Sequence, residues 1–277
     1  MLKSKISQVR LFKSRIQRLL VVATAAATLG IAFSGSVQAQ SALDNVMKAK
    51  EIKIAIPTDF PPYGFVGPDL KPQGLDVDMA NYIGQKMGVK VELIVVTSAN
   101  RIPYLQTKRA DLVISTLGKN PERMAVIDFT SAYSPYFQAV FGPKSLSVKS
   151  FADLAGKSIS VTRGALEDTE LSKVAPEKAD LKRFEDNNAT VSAYTSGQVN
   201  LVATGVSVAE NMMQRTPQMQ TEFKLLLKDS PNFVGVAKGE DALRMKVNEI
   251  IAAGVASGDI NKLSEKWLKR PAGDLPK

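Results

Sequence analysis

The sequence predicts an α/β protein built as two lobes, and three observations carry that expectation. After residue 44, short apolar runs of β character alternate with helical runs along nearly the whole chain, a pattern that builds parallel or mixed sheets covered by helices on both faces. The alternation falls into two stretches of about 100 residues each, enough for two cores rather than one. The 277 residues, 44% apolar and 23% charged, have the length and composition of an ordinary folded chain.

The elements follow in order. Ile52, Ile54 and Ile56 alternate with Lys53 and Ala55, which predicts a strand. Residues 58–74 are crowded with proline and glycine and are expected to form a loop. Asp76 and Asp78 open a helix with Met79, Tyr82, Ile83 and Met87 on its apolar face, ended by Gly88. A strand over 89–96, a short helix over 102–108, a buried strand over 111–116 and a helix start at Pro121 complete the first unit. Residues 139–142 read as a strand that leaves it. The second unit is expected to contain a short helix over 150–155 and strands over 157–162, 181–185 and 199–204. Helices are expected there over 166–174, 189–195 and 206–215. A strand near 232–237, an amphipathic helix through Leu243, Val247, Ile250, Ile251 and Val255, and a last helix carrying Trp267 close the chain.

Composition excludes several classes of chemistry. The chain contains no histidine, so no imidazole base, Ser-His-Asp arrangement or His metal ligand is available. It contains no cysteine, which removes thiolate metal sites, disulfides and a lipidated N-terminus. No cofactor is expected. The net charge of +9 is concentrated at the start, where Lys3, Lys5, Arg10, Lys13, Arg15 and Arg18 precede an uncharged stretch over 19–36 and a Val37-Gln38-Ala39 site. That is the pattern of a secretory signal peptide over residues 1–39. An uncleaved anchor is the competing reading; the Ala/Thr/Gly-rich stretch, weakly hydrophobic, favours cleavage near Ala39 and export to the periplasm. Removing those six positive charges leaves too little excess to argue for nucleic acid.

Four segments in order carry a family resemblance: IKIAIPTDFPPYGF over 52–65, GLDVDMA over 74–80, ADLVISTLGKNPERMAVIDFT over 110–130, and FADLAGKSISVTRG over 151–164. Together they resemble the periplasmic solute-binding proteins that serve polar amino-acid ABC transporters, across essentially all of 44–270. The resemblance implies a periplasmic-binding-protein fold: two α/β lobes joined by two crossover hinge strands, with the ligand in the cleft between them. The crossovers are expected near Ala139–Gly142 and Asn232–Val236. Lobe one would then comprise 44–141 plus 236–277, and lobe two 142–235.

The same resemblance nominates site residues. Arg123, in Asn120-Pro121-Glu122-Arg123, corresponds to the family arginine that grips the ligand α-carboxylate; a guanidinium suits this because it makes two parallel hydrogen bonds and keeps its charge. Ser115, Thr116 and Gly118 would offer hydroxyl and backbone N–H groups to the same carboxylate, although Gly118 lacks the hydroxyl that many members place there. Ser98 and Arg101 resemble residues that bind a side-chain carboxylate in glutamate/aspartate-binding members; an interlobe role for Arg101 is equally open. Phe60 matches an aromatic that stacks on the ligand, while Phe65 reads as loop packing. Arg163 lies beside a helix start suited to an anion. The family's ammonium-binding aspartate is replaced here by Gly205, and its Gly-Thr by Gly164-Ala165. Glu167, Asp168, Glu185 and Asp186 are the acids that could replace the aspartate; Asp186 and Asn187, which follow a strand, are the first candidates, and Glu167 is expected to be solvated.

The resulting expectation is a non-enzymatic, monomeric receptor that captures a small carboxylate-bearing solute, an acidic amino acid favoured, and delivers it to an inner-membrane ABC permease. The alternative is a periplasmic enzyme on the same fold, resembling cyclohexadienyl dehydratase.

Overall fold

The computed structural model describes residues 41–276; the expected signal peptide lies outside them. Among the described residues no helix is long and apolar enough to cross a membrane.

The strands form two five-stranded sheets and one small three-stranded sheet. The first sheet contains β1 (Glu51–Ile56), β5 (Lys90–Val95), β6 (Leu112–Leu117), β7 (Ile127–Ser134) and β13 (Asn232–Ala237), in the order β5-β1-β6-β13-β7. The second contains β8 (Phe137–Pro143), β9 (Ser158–Thr162), β10 (Asp180–Phe184), β11 (Leu201–Gly205) and β12 (Thr221–Asp229), in the order β10-β9-β11-β8-β12. Both follow one plan. Three parallel strands come first, and an antiparallel strand arriving from the other lobe lies fourth. The fifth strand leaves for the other lobe.

Helices cover both sheets: α1 (Ala42–Ala49), α2 (Leu75–Met87), α3 (Arg101–Gln106), α4 (Pro121–Val126), α8 (Asp241–Ala256) and α9 (Asp259–Leu268) belong with the first, and α5 (Leu166–Val174), α6 (Asn187–Thr195) and α7 (Val206–Arg215) with the second. The period-two pattern explains the burial on both faces. On β1 and β6, Ile52, Ile54, Ile56, Leu112 and Ile114 pack on one side, while Ala55, Val113 and Leu117 pack on the other. On the second sheet Val140, Ile159, Val161 and Leu201 face one core, and Ala139, Phe141 and Val202 the other.

Several expectations shift. The chain crosses between lobes at Pro135-Tyr136 and at Ser230-Pro231, between β7 and β8 and between β12 and β13. Residues 139–142 lie inside lobe two and 232–236 inside lobe one, so both crossovers, and with them the lobe boundaries, come several residues earlier than expected. Residues 58–74 are not a plain loop: β2 (Asp59–Phe60), β3 (Gly64–Val66) and β4 (Pro72–Gln73) pair as the small sheet. Strand β12 is not expected from the sequence because it is a sheet edge with only Leu225 buried and two register shifts that break its alternation.

Candidate functional site

Local rules set the two arginines in place. Asn120 is the N-cap of α4, its Oδ1 accepting from the Arg123 backbone N–H at 2.8 Å, and Pro121 begins the helix at a position where no N–H is needed. This short turn aims Arg123 inward, where it is buried. Its Nη1 donates to the Gly118 carbonyl at 2.9 Å and its Nη2 to the Gly164 carbonyl at 2.9 Å. Three of its five N–H groups, including Nε, take no part in these bonds. Burial, with Arg101 beside it, pulls the Arg123 pKa down to about 9, still cationic at neutral pH.

Arg101 begins α3 and is also buried. Its Nε donates to the Ser98 carbonyl, Nη1 to those of Ser115 and Thr116, and Nη2 to that of Gly164, at 2.8–3.1 Å. Four of its five N–H groups are therefore committed to backbone, one of them across the lobes, which is the interlobe role.

Behind them lies Asp76, fully buried on α2. It accepts from the Thr116 backbone N–H at 2.8 Å, the Thr116 hydroxyl at 2.9 Å and the Tyr133 hydroxyl at 2.7 Å. Thr116 has a left-handed φ of 49°, unusual outside glycine, and these bonds hold it there with its carbonyl aimed at Arg101. Burial outweighs the three donors and raises the Asp76 carboxyl to about 6.

Lobe two closes over this platform. Gly164 has φ +76°, and a Cβ there would sit 2.8 Å from the Ala99 Cα, so only glycine brings its carbonyl onto both guanidinium groups. Asn187 donates through its backbone N (2.7 Å) and Nδ2 (3.1 Å) to Asp59 Oδ2 of lobe one. Gly118 backs onto lobe two as well: a Cβ there would meet Leu166 Cδ1 at 2.4 Å and Ser230 Oγ at 2.5 Å, which explains the missing hydroxyl. The cavity left between the lobes is about 20 Å³, where one ordered water needs roughly 10–15 Å³. The arrangement is closed, with room for little more than a water between the lobes.

Phe60, Ser98, Arg101, Ser115 and Thr116 line this cavity; Gly118 and Arg123 stand at the lobe contact beside it. Two nominated residues are elsewhere. Arg163 is exposed and donates to Glu185 Oε1 at 2.8 Å, because the left-handed turn at Gly164 sends the carbonyl, not the preceding side chain, to the cleft. Asp186 is the N-cap of α6, its Oδ1 accepting from the Ala189 N–H at 2.7 Å, so its carboxylate serves the helix. The acid that reaches the cavity is Glu167, expected to be solvated but only 5% exposed. It lies in the first turn of α5 and accepts from the Tyr136 hydroxyl at 2.5 Å. Burial raises its pKa against the pull of Tyr136, Arg101 and Arg123. Asn187, nominated from the sequence together with Asp186, lines the cavity. Tyr136, Gln138 and Asp59 line it too, and sequence reasoning does not nominate them; for Gln138 and Tyr136 the signal is their place at the crossover, which comes earlier than the sequence suggests.

Comparison with known proteins fits this geometry. The model of the bacterial extracellular solute-binding proteins, family 3, matches residues 52–270. The ABC transporter glutamine-binding protein GlnH of Bacillus subtilis is 25% identical over 268 residues, covering 94% of this chain and 97% of the relative. The ABC transporter arginine-binding protein 1 of Escherichia coli is 26% identical, covering 79% and 91%. Among solved structures, an ancestral amino-acid-binding protein described as a precursor of cyclohexadienyl dehydratase superposes with a TM-score of 0.75 at 28% identity, covering 82% of this chain and 99% of its own. With a two-lobe α/β fold and a family match across both lobes, the chain is a member of the bacterial extracellular solute-binding proteins, family 3.

Proposed function

We propose that the protein is the solute-binding component of an ABC importer, exported to the periplasm as a monomer, which captures an amino acid between its lobes and presents it to a membrane permease. The observation that carries this reading is Arg123: a buried cation at the cleft with three N–H groups free and a partner, the Gly164 carbonyl, that leaves when the lobes separate. A ligand carboxylate replaces that carbonyl and takes the free donors as a bidentate acceptor. The names of relatives that bind glutamine and arginine support the amino-acid class.

The acidic preference suggested by the sequence rests on three cations. Arg163 faces outward, and Arg101 keeps a single uncommitted N–H, on Nη2. The ligand we propose is therefore a zwitterionic amino acid with a neutral or acidic side chain; a cationic side chain would meet Arg101. The test is a thermal-shift screen of the twenty amino acids. A ligand at about 100 times its Kd adds roughly 2.7 kcal/mol. Stabilisation by glutamate or glutamine above arginine supports the reading. Stabilisation by none of the twenty overturns it, and arginine as the strongest overturns the side-chain assignment.

A second reading has one observation in its favour. Glu167 is a buried carboxyl with a raised pKa in a cleft with two arginines, the environment of a general acid. Incubation with prephenate or arogenate decides it: turnover that Glu167→Gln abolishes makes the protein a dehydratase-like enzyme, and absence of turnover leaves the receptor.

A further inference from the structure

We infer that Lys119, Lys238 and Arg244 form a second binding site, on the flank of lobe one outside the cleft, for a small monocarboxylic acid that carries no amino group. The inference stands apart from the receptor reading, because it concerns a different cavity and a different class of ligand.

The cavity holds about 190 Å³ between α4, β7 and the start of α8, below the roughly 300–1,000 Å³ of a pocket for a drug-sized molecule. Met124, Ile127 and Phe129 are its apolar walls, and its charged groups are three cations and a single acid, Asp128. That acid is already used. Its Oδ1 accepts from Lys238 Nζ and its Oδ2 from the Gly239 backbone N–H, both at 2.8 Å. Arg244 has its counterion outside the cavity: Nε and Nη2 both donate to Asp241 Oδ1, at 3.3 and 2.6 Å, which leaves Nη1 uncommitted. The positive charge left without a counterion is Lys119.

Lys119 carries the inference. It is half-buried, and its ammonium lies 3.8 Å from the centre of the Phe233 ring and 5.9 Å from that of Phe129. Among the described residues it has no carboxylate within ion-pair distance. A ring face favours the charge but offers no oxygen to the three N–H groups. Burial, with the like charge of Arg244, pulls the Lys119 pKa down, and an anion in the cavity that both residues line relieves the repulsion.

The chemistry selects the ligand. Arg244 Nη1 and Lys119 Nζ supply donors for a carboxylate, and the apolar walls suit a short carbon body. Inorganic phosphate would set charged oxygens against Met124, Ile127 and Phe129. A zwitterionic amino acid would bring its ammonium among three cations, so the site selects against the solute class proposed for the cleft. Lys119 lies between Gly118, whose carbonyl accepts from Arg123, and Asn120, which caps α4. A ligand here therefore touches, from outside the cleft, the turn that holds Arg123.

The test reads the cavity wall itself. The purified protein is labelled at methionine methyl groups with carbon-13, and the Met124 signal is assigned by its loss in Met124→Leu. Benzoate, titrated at constant ionic strength, should move the Met124 signal saturably and leave those of Met79 and Met212, buried in other cores, in place. Lys119→Gln and Arg244→Gln should each weaken that binding at least about tenfold; if one variant fails to fold, the other decides. Phosphate, benzyl alcohol and phenylglycine should each bind at least about tenfold more weakly than benzoate. No saturable shift at Met124, or a shift that survives both substitutions, overturns the inference. Equal binding of phosphate, of the uncharged alcohol or of the amino acid overturns the assignment to a monocarboxylic acid. Each of these outcomes leaves the receptor reading where it was.

Discussion

In lobe one the third parallel strand, β6, ends at Thr116 and Leu117 and leads to Arg123; in lobe two the equivalent strand, β11, ends at Gly205 and leads directly into α7. The sheets repeat one plan, yet their cleft edges are used in opposite ways. Around β6 most polar groups are committed within the protein. Asp76 holds Thr116, and Thr116, Ser115 and Ser98 hold Arg101. Around β11 the groups are open: Gln138 has no partner and Glu167 has one, Tyr136. The cleft edge of lobe one is thus a cation platform braced largely by its own backbone carbonyls, with one carbonyl, that of Gly164, supplied by lobe two, whereas on lobe two the Gln138 amide has no protein partner.

The largest effect should come from removing the platform's free cation. Arg123→Ala is expected to lose roughly 2–5 kcal/mol of binding free energy, which is about 30-fold to several thousand-fold in Kd, with the fold intact. Calorimetry on a variant with a native circular-dichroism spectrum checks this. Normal affinity would mean that lobe one's open donors do not hold the carboxylate.

Much of this platform is legible in the sequence. Asn120-Pro121 is a helix start at the level of single residues, so the placement of Arg123 follows from capping chemistry. Helices α5 and α7 are read at their observed bounds because their apolar faces repeat at helical spacing. What escapes the sequence is set by contacts between distant segments. Asp76 reads as a helix-opening acid, and only the fold turns it toward Thr116 and Tyr133. Asp186 and Glu167 each stand beside the start of a helix, one as cap and one in the first turn, and the choice of which faces the cleft is made by how α5 and α6 pack on the second sheet. Tyr136 fills the space at Gly205, where a Cβ would lie 2.5 Å from its hydroxyl, a contact between two positions far apart in sequence.

The commitment of lobe one predicts a pH signature. Asp76 titrates near 6 in the fold against an ordinary 3.8, so the folded state binds this proton more tightly than the unfolded state. Its contribution is fully present below about pH 4 and is lost as pH rises through 6, a fall of about 3 kcal/mol. The stability difference between wild type and Asp76→Asn, from urea denaturation, should therefore shift by about 2 kcal/mol, most of that fall, between pH 4 and 6.5. A difference that is flat with pH would show an ordinary carboxylate and a less tightly buried platform.

A smaller effect is expected where the lobes touch. Gly118→Ser places a side chain against Leu166 and Ser230 only in the closed arrangement. Leu166 gives way in part, so affinity should fall about tenfold, equivalent to 1.4 kcal/mol, with stability unchanged in the absence of ligand. Unchanged affinity would mean that the ligand-bound lobes stay further apart than in this closed arrangement.

The smallest effect belongs to the outer rim. Arg270 Nη2 donates at 2.8 Å to both carboxylate oxygens of Glu210 on α7, joining the C-terminal segment of lobe one to lobe two. The pair is partly exposed, so Glu210→Gln should cost no more than about 1 kcal/mol of binding and less at high salt. A larger, salt-independent loss would move part of the closing force from the cleft to the rim.

The central claim is that a solute bridges the committed lobe and the open one, and so binds the closed arrangement better than the open one. Small-angle scattering on the purified protein, with and without a saturating amino acid taken from the thermal-shift screen, tests it most directly. The radius of gyration should fall with ligand in the wild type and stay unchanged in Arg123→Ala at the same concentration. An identical scattering profile for the wild type at confirmed saturation would contradict it.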